Sequence, residues 1–251
     1  PVRIDPTCRN RAPGVECVTR NNAGQRVTVV PMMGTDSLGR DVYSRVIYGT
    51  RVSLVVGIAT ALLALAAGIV CGLLSGYLRW LDGILMRFMD GIMAIPAILI
   101  AIALVALWRG SIVTVVVAIS IPEIPRVTRL VRSLVLTIRE EPYVEAAVAL
   151  GTPTWRILLG HILPNCIAGS IVFAMSDVVL VILTGSSISY LGLGVQPPTA
   201  EWGIMVAEGA NFIQSGEWWI ALFPGATLML AVFCFNLLGD GLRDIIDPRM
   251  R

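Results

Sequence analysis

Five long apolar runs dominate the chain, separated by polar stretches in which arginine is concentrated. They cover approximately 53–78, 84–108, 111–131, 167–191 and 218–238. At ~1.5 Å per helical residue, about 20 residues cross a hydrocarbon core of ~30 Å. Each run is therefore long enough to be a membrane-crossing helix. Asp90 and Pro96 interrupt the second run and leave its start open. The fourth closes near Gly192 and Gly194, residues that suit a chain leaving a helix. Residues 1–52 read as an extracytoplasmic segment leading into the first run, and 53–251 as a transmembrane domain. The expected fold class is an all-α polytopic membrane protein.

Arginine placement orients the runs. The connection near 79–87 carries Arg79 and Arg87, and 126–156 carries Arg126, Arg129, Arg132, Arg139 and Arg156. The C-terminus carries Arg243, Arg249 and Arg251. These three regions share one side if the runs alternate. On the other side, 109–110 has Arg109 and 192–217 has no basic residue. Basic residues accumulate in cytoplasmic connections, so the arginine-rich side, with the C-terminus, is read as cytoplasmic. Residues 1–52 hold eight arginines, but long translocated segments obey this rule poorly. Five crossings with the C-terminus inside put residue 1 outside, which predicts a sixth helix before Pro1.

Composition agrees with the pattern and removes several chemistries. The chain of 251 residues is 56% hydrophobic and 14% charged, with a mean hydropathy of +0.79. Soluble domains carry about 25% charged residues. A net charge of +2 makes no case for nucleic acid. There is no lysine, which rules out a P-loop and a Schiff-base nucleophile. The sole histidine, His161, rules out a His-rich metal site. No GxSxG, HExxH or paired catalytic carboxylates occur, so no enzyme active site and no cofactor are expected on this chain. Cys71, Cys166 and Cys234 lie in or beside apolar runs as small core residues. Cys8 and Cys17 lie in the polar N-terminal stretch and form a possible disulfide if that stretch is extracytoplasmic. Spacing does not decide it.

Within the runs, Ala64, Gly68, Gly72 and Gly76 recur every four residues as a small-residue stripe. Packing within the chain is the preferred reading over a face for a second membrane subunit. Asp177 falls midway along its run, where a charge costs at least ~2.5–3.5 kcal/mol unless paired or facing a polar cavity. Glu123 sits between Pro122 and Pro125. Either acid is a candidate for the lining or gate of a solute path. For Glu123 a pair with Arg126 or Arg129 is preferred. For Asp177 the cavity is preferred, since no arginine lies within a turn of it.

The loop 137–164 carries the clearest organisation. Glu141-Pro142 suits a helix start, with proline at its first position. Gly151 suits the C-terminal cap. Thr152 is a plausible N-cap for a second helix. There Trp155, Leu158, Leu159 and Ile162 fall at i, i+3, i+4 and i+7 as one apolar stripe. Pro164 ends that element or leads into the next run. A compact helical hairpin with small residues at its tip suits insertion into a partner's groove.

Glu145-Ala146-Ala147, then Gly151, then His161-Ile162-Leu163-Pro164 resembles the EAA signature of ABC-importer permeases. His161 at that position is similar to the dipeptide/oligopeptide branch. Gly34 to Leu54 is similar to that branch's segment leading into its second helix. Leu191 to Gly203 is similar to its last large outer loop, and Phe235 to Arg249 to its C-terminus. The resemblance implies a type I ABC importer transmembrane fold. It implies a second homologous permease subunit and two cytoplasmic ATPase subunits, which hold ATP and Mg. It also implies an extracytoplasmic solute-binding protein and a bacterial inner membrane location. The ATPase-coupling residues would then be Glu145, Ala146, Ala147, Gly151, Trp155, Leu158 and Pro164. Gln196, Glu201 and Trp202 would face the binding protein. The expected solutes are dipeptides, oligopeptides or glutathione, with nickel or a metal chelate as the alternative. A passive channel is the rival of another class, and it leaves the loop unexplained.

Overall fold

The computed structural model describes residues 6–20, 25–108 and 111–246. Arg109, Arg249 and Arg251, used above for orientation, lie outside these residues, as does Pro1. A short hairpin pairs β1 (Cys17–Arg20) with β2 (Arg26–Val29), antiparallel. The rest is helical: α1 (Val42–Tyr77), α2 (Arg79–Met93), α3 (Ala97–Leu107), α4 (Ile112–Ile138), α5 (Pro142–Ala149), α6 (Thr154–Tyr190), α7 (Trp202–Ala210) and α8 (Trp219–Ile246).

Three of these, α1, α6 and α8, are long and apolar enough to cross a membrane. The pair α2 and α3 adds a fourth if it counts as one broken span, bent by 84°. The helices differ from the five expected runs in two places. The run 84–108 breaks between Met93 and Ala97, where Pro96 cannot donate a backbone hydrogen bond. The run 111–131 lies in α4, which carries Glu123, Arg126 and Arg129 within the same stretch and is less apolar than the others. Helix α1 starts eleven residues earlier than the hydropathy suggested and passes through position 52 unbroken. Asp41 caps it: its Oδ2 accepts from the Ser44 amide at 2.9 Å and the Ser44 hydroxyl at 2.6 Å.

Two compact units partition the chain. The first comprises Pro1–Val56, Trp108–Val115 and Ile182–Phe233. Its small core is Val42, Val46, Ala200 and Met205. Trp202 is almost fully buried and donates from Nε1 to the Val46 carbonyl at 3.2 Å. Trp219 donates likewise to the Thr35 carbonyl at 3.2 Å. Trp219 lies so close to Gly34 that a Cβ there would sit 2.7 Å from its ring, and Gly34 also has φ +74°. Cys8 and Cys17 are joined by a disulfide that ties the hairpin to the segment before it.

The second unit comprises Gly57–Leu107, Val116–Val181 and Cys234–Arg251. Its core runs along Ala64, Leu73, Val127, Val131, Val135, Val144, Ile157, Ile162 and Cys166. The small-residue stripe of α1 packs against α4 of the same chain. A Cβ on Gly68, Gly72 or Gly76 would sit 2.5, 2.6 or 2.7 Å from the Cβ of Val127, Val131 or Val135. Both rows repeat every four residues, so each valine fills a gap left by a glycine.

Candidate functional site

The loop after α4 is built from the residues upward. Pro142 occupies the first position of α5, after extended Glu141. Val144 and Ala147, three apart, are buried into the core of the second unit. Glu145 lies in the first turn, where a carboxylate suits the positive end of the helix dipole. It and Ala146 are exposed. Among the described residues Glu145 has no ion-pair partner.

The helix ends in a Schellman cap. The Thr152 amide donates to the Ala147 carbonyl at 3.1 Å, and the Gly151 amide to the Val148 carbonyl at 2.9 Å. Gly151 has φ +74°, the left-handed conformation that the cap needs. The turn lifts Val148 and Leu150 into solvent, exposed by 53% and 86%.

Helix α6 departs from expectation. Its N-cap is Pro153 rather than Thr152. The stripe at Trp155, Leu158, Leu159 and Ile162 does not form one buried face. Ile157 and Ile162 are buried, while Trp155 and Leu159 are 59% and 57% exposed and Leu158 lies between. The cause is a π turn over Leu158–Ile162, with the Leu163 amide reaching back to the Leu158 carbonyl. Pro164 has no amide proton for the α-helical bond, and the wider turn accommodates the missing donor. Pro164 therefore sits within a continuous helix from Thr154 to Tyr190. Asn165 secures the joint, donating to the His161 carbonyl at 2.7 Å and to the Tyr143 hydroxyl at 3.2 Å.

The surface so formed is an apolar tip of Tyr143, Val148, Leu150, Trp155 and Leu159 around the exposed Glu145 and Gly151. Sequence reasoning missed Val148 and Leu150. Their signal is phase: Val144 and Ala147 mark the buried face, and Val148 and Leu150 fall off it.

Further along the second unit, α4 and α6 bring Glu123 and Asp177 to one guanidinium. Arg126 Nη1 is 2.9 Å from Glu123 Oε2 and 3.7 Å from Asp177 Oδ1. Both acids are buried. Asp177 Oδ1 has no hydrogen-bond partner among the described residues. The arginine missing from the sequence neighbourhood of Asp177 thus arrives from another helix. Farther down α4, Arg132 grips Asp82 through two bonds of 2.6 and 2.7 Å, and Arg129 pairs with Asp90.

In the first unit, Gln196 is exposed and donates to the Gly192 and Gly194 carbonyls. Glu201 and Trp202 are buried. Glu201 caps α7, accepting from the Gly203 and Ile204 amides at 3.0 Å each and from the Ser53 hydroxyl at 3.2 Å. Their polar atoms are engaged inside the unit, so of the three only Gln196 offers a free face to a partner.

Residues 52–251 match the family described as binding-protein-dependent transport system inner membrane component. The chain is 44% identical over 220 residues to the glutathione transport system permease protein GsiD of Pectobacterium atrosepticum, covering 87% of this chain and 73% of that one. It is 45% identical over 219 residues to the dipeptide transport system permease protein DppC of Alkalihalophilus pseudofirmus, covering 87% and 72%. Among solved structures, it resembles the inward-facing MetNI methionine ABC transporter with TM-score 0.66 at 15% identity, covering 81% of this chain and 97% of that one. An amino acid ABC transporter gives TM-score 0.58 at 15% identity, covering 79% and 92%. These two likenesses concern the fold, and they agree with the type I importer architecture expected from the resemblance. With the family matched over most of its length, the chain belongs to the binding-protein-dependent transport system inner membrane components: it is a multi-pass, non-catalytic permease subunit of an ABC importer.

Proposed function

We propose that this chain forms half of the translocation path of an ATP-driven importer for peptides, with dipeptides, oligopeptides and glutathione as the solute class. The names of its relatives support that class. A second homologous permease completes the path. Two ATPases on the cytoplasmic side, where the C-terminus also lies, hold ATP and Mg and receive the apolar tip around Gly151. An extracytoplasmic binding protein delivers solute to the outer loop, where Leu191, Gln196, Pro197 and Pro198 are exposed. Asp177 and Glu123 act at the path or its gate, a role supported by an Asp177 oxygen that makes no hydrogen bond and only a long ion pair with Arg126. Membrane lipid surrounds the apolar helices.

The observation that carries the coupling role is the exposure of Val148, Leu150, Trp155 and Leu159 beside a rigid cap. An unpaired apolar tip anchored from beneath by Val144, Ala147 and Ile157 suits a partner's groove. ATP binding closes the ATPase dimer and draws the tips together. The membrane helices then open outward, and hydrolysis reverses the change. Gly151→Asp and Glu145→Lys are expected to cut ATPase co-purification at least about tenfold, roughly the loss of one interfacial hot spot. Membrane insertion should remain. Wild-type levels of ATPase association and transport in both variants would end the docking role.

A further inference from the structure

Helix α2 carries two parallel rows of side chains that the coupling tip and the Asp177 cluster leave unused. Its inner face is fixed by buried Met89 and by the ion pair of Asp82 with Arg132, while exposed Asp90, on the side of Arg87, is neutralised by Arg129. Its outer face repeats at i, i+4 and i+8. One row is Trp80, Ile84 and Phe88, exposed by 71%, 65% and 65%. The adjacent row is Arg79, Gly83 and Arg87, also exposed. Arg79, Trp80, Gly83, Ile84 and Arg87 together line one open depression. Gly83 is its floor, and a Cβ there would meet nothing within 4 Å. Among the described residues neither Arg79 nor Arg87 has an acidic partner, whereas Arg126, Arg129 and Arg132 each have one.

We infer that α2 is an interfacial helix bearing a site for an anionic phospholipid. The headgroup phosphate sits over Gly83 between Arg79 and Arg87, and the acyl chains follow Trp80, Ile84 and Phe88. Helices that lie in a membrane surface combine such an aromatic and aliphatic row with adjacent arginines. The bend supports this placement. With α3 along the membrane normal, an 84° turn leaves α2 close to the membrane plane. Arg79 and Arg87 stand about 12 Å apart along the axis, at ~1.5 Å per residue. Both guanidinium forks can lean inward over the glycine, and such forks match phosphate geometry. Charge complementarity selects lipid: two free cations border an apolar strip, as phosphates border acyl chains.

The test uses the whole transporter complex in nanodiscs of mixed phosphatidylglycerol and phosphatidylcholine, with retained lipid read by mass spectrometry. Arg79→Gln combined with Arg87→Gln should lower retained phosphatidylglycerol roughly tenfold or more, at about 1 kcal/mol per basic residue near an anionic surface. Gly83→Leu should lower it as well, by filling the floor while leaving both charges and projecting into open space. A photo-crosslinking residue at Ile84 should give lipid adducts. Unchanged phosphatidylglycerol in both variants would overturn the site. So would crosslinks from position 84 that run to the second permease subunit instead of lipid.

Discussion

Two buried charge clusters in this chain look alike on paper and differ in balance. In the first unit, Asp36 and Glu208 meet Arg40 and Arg45. Arg40 binds Asp36 at 2.6 Å and Glu208 at 2.9 Å, and Arg45 binds the same two at 2.8 and 2.7 Å. Two acids face two bases, and Asp36 Oδ1 also accepts from the Leu38 and Arg40 amides at 2.9 and 2.8 Å. In the second unit, two buried acids share the single, partly exposed Arg126, and Asp177 Oδ1 is left without a hydrogen bond. The first cluster is balanced in charge, though Arg45 Nε is left without a hydrogen bond, and it clamps the segment before α1 to α7. The second has an acceptor to spare. Burial of charge alone therefore does not distinguish the two clusters; the balance of acids and bases does.

The largest effect should come from opening the balanced cluster. Asp36→Ala leaves two buried guanidinium groups with one acid and is expected to destabilise by about 3–5 kcal/mol. Thermal melting of the purified protein, followed by tryptophan fluorescence, reads this through Trp202 and Trp219. A melting point close to the parent's would erase the contrast between the clusters. Arg126→Met leaves Glu123 and Asp177 without their cation and should destabilise by about 2.5–3.5 kcal/mol. Adding Asp177→Asn to Arg126→Met should restore part of that loss.

By itself, Asp177→Asn should change stability by less than about 1 kcal/mol, since it keeps the shape and removes an under-partnered charge. Peptide uptake in proteoliposomes should nonetheless fall severalfold. Strong unfolding with normal uptake per folded molecule would make Asp177 structural, like Asp36. The smallest effect is expected at Asp82→Asn. Its pair with Arg132 is about three-tenths exposed on both sides, so roughly 1 kcal/mol or less is at stake. That loss should shrink further in high salt.

Much of this architecture is legible in the chain, because local rules and tertiary packing point the same way in its long elements. Three of the five apolar runs reappear in single helices of membrane length, and a fourth, 84–108, in the bent pair α2 and α3. Pro142 and Gly151 bound α5 as their chemistry requires. The expected pair of Glu123 with Arg126 forms. The remainder depends on partners distant in sequence. Glu208 lies more than 160 residues from Arg40 and Arg45, so no window along the chain reveals their cluster. Trp202 and Glu201 look like an exposed loop by neighbourhood, and only the approach of Val46 and Ser53 buries them. The split of the stripe from Trp155 to Ile162 comes from one missing amide at Pro164, whose effect falls on the turn before it. Helix α1 began early for a similar reason: Tyr43, Arg45 and Arg51 mask its first turns from any hydropathy reading.

The unbroken run from Thr154 to Tyr190 also sets how force travels. Between Trp155 at the tip and Asp177 in the span lie roughly 33 Å of one helix, at ~1.5 Å per residue. A rod of that length transmits displacement and twist without a joint to absorb them. The π turn at Leu158–Ile162 is where its winding already departs from regular α geometry. Gaining or losing the extra residue there would rotate the rod beyond it by about 100°, one residue's share of a 3.6-residue turn. Under the proposed coupling, a partner that pulls on Trp155 acts on a crankshaft, and Asp177 sits on its throw.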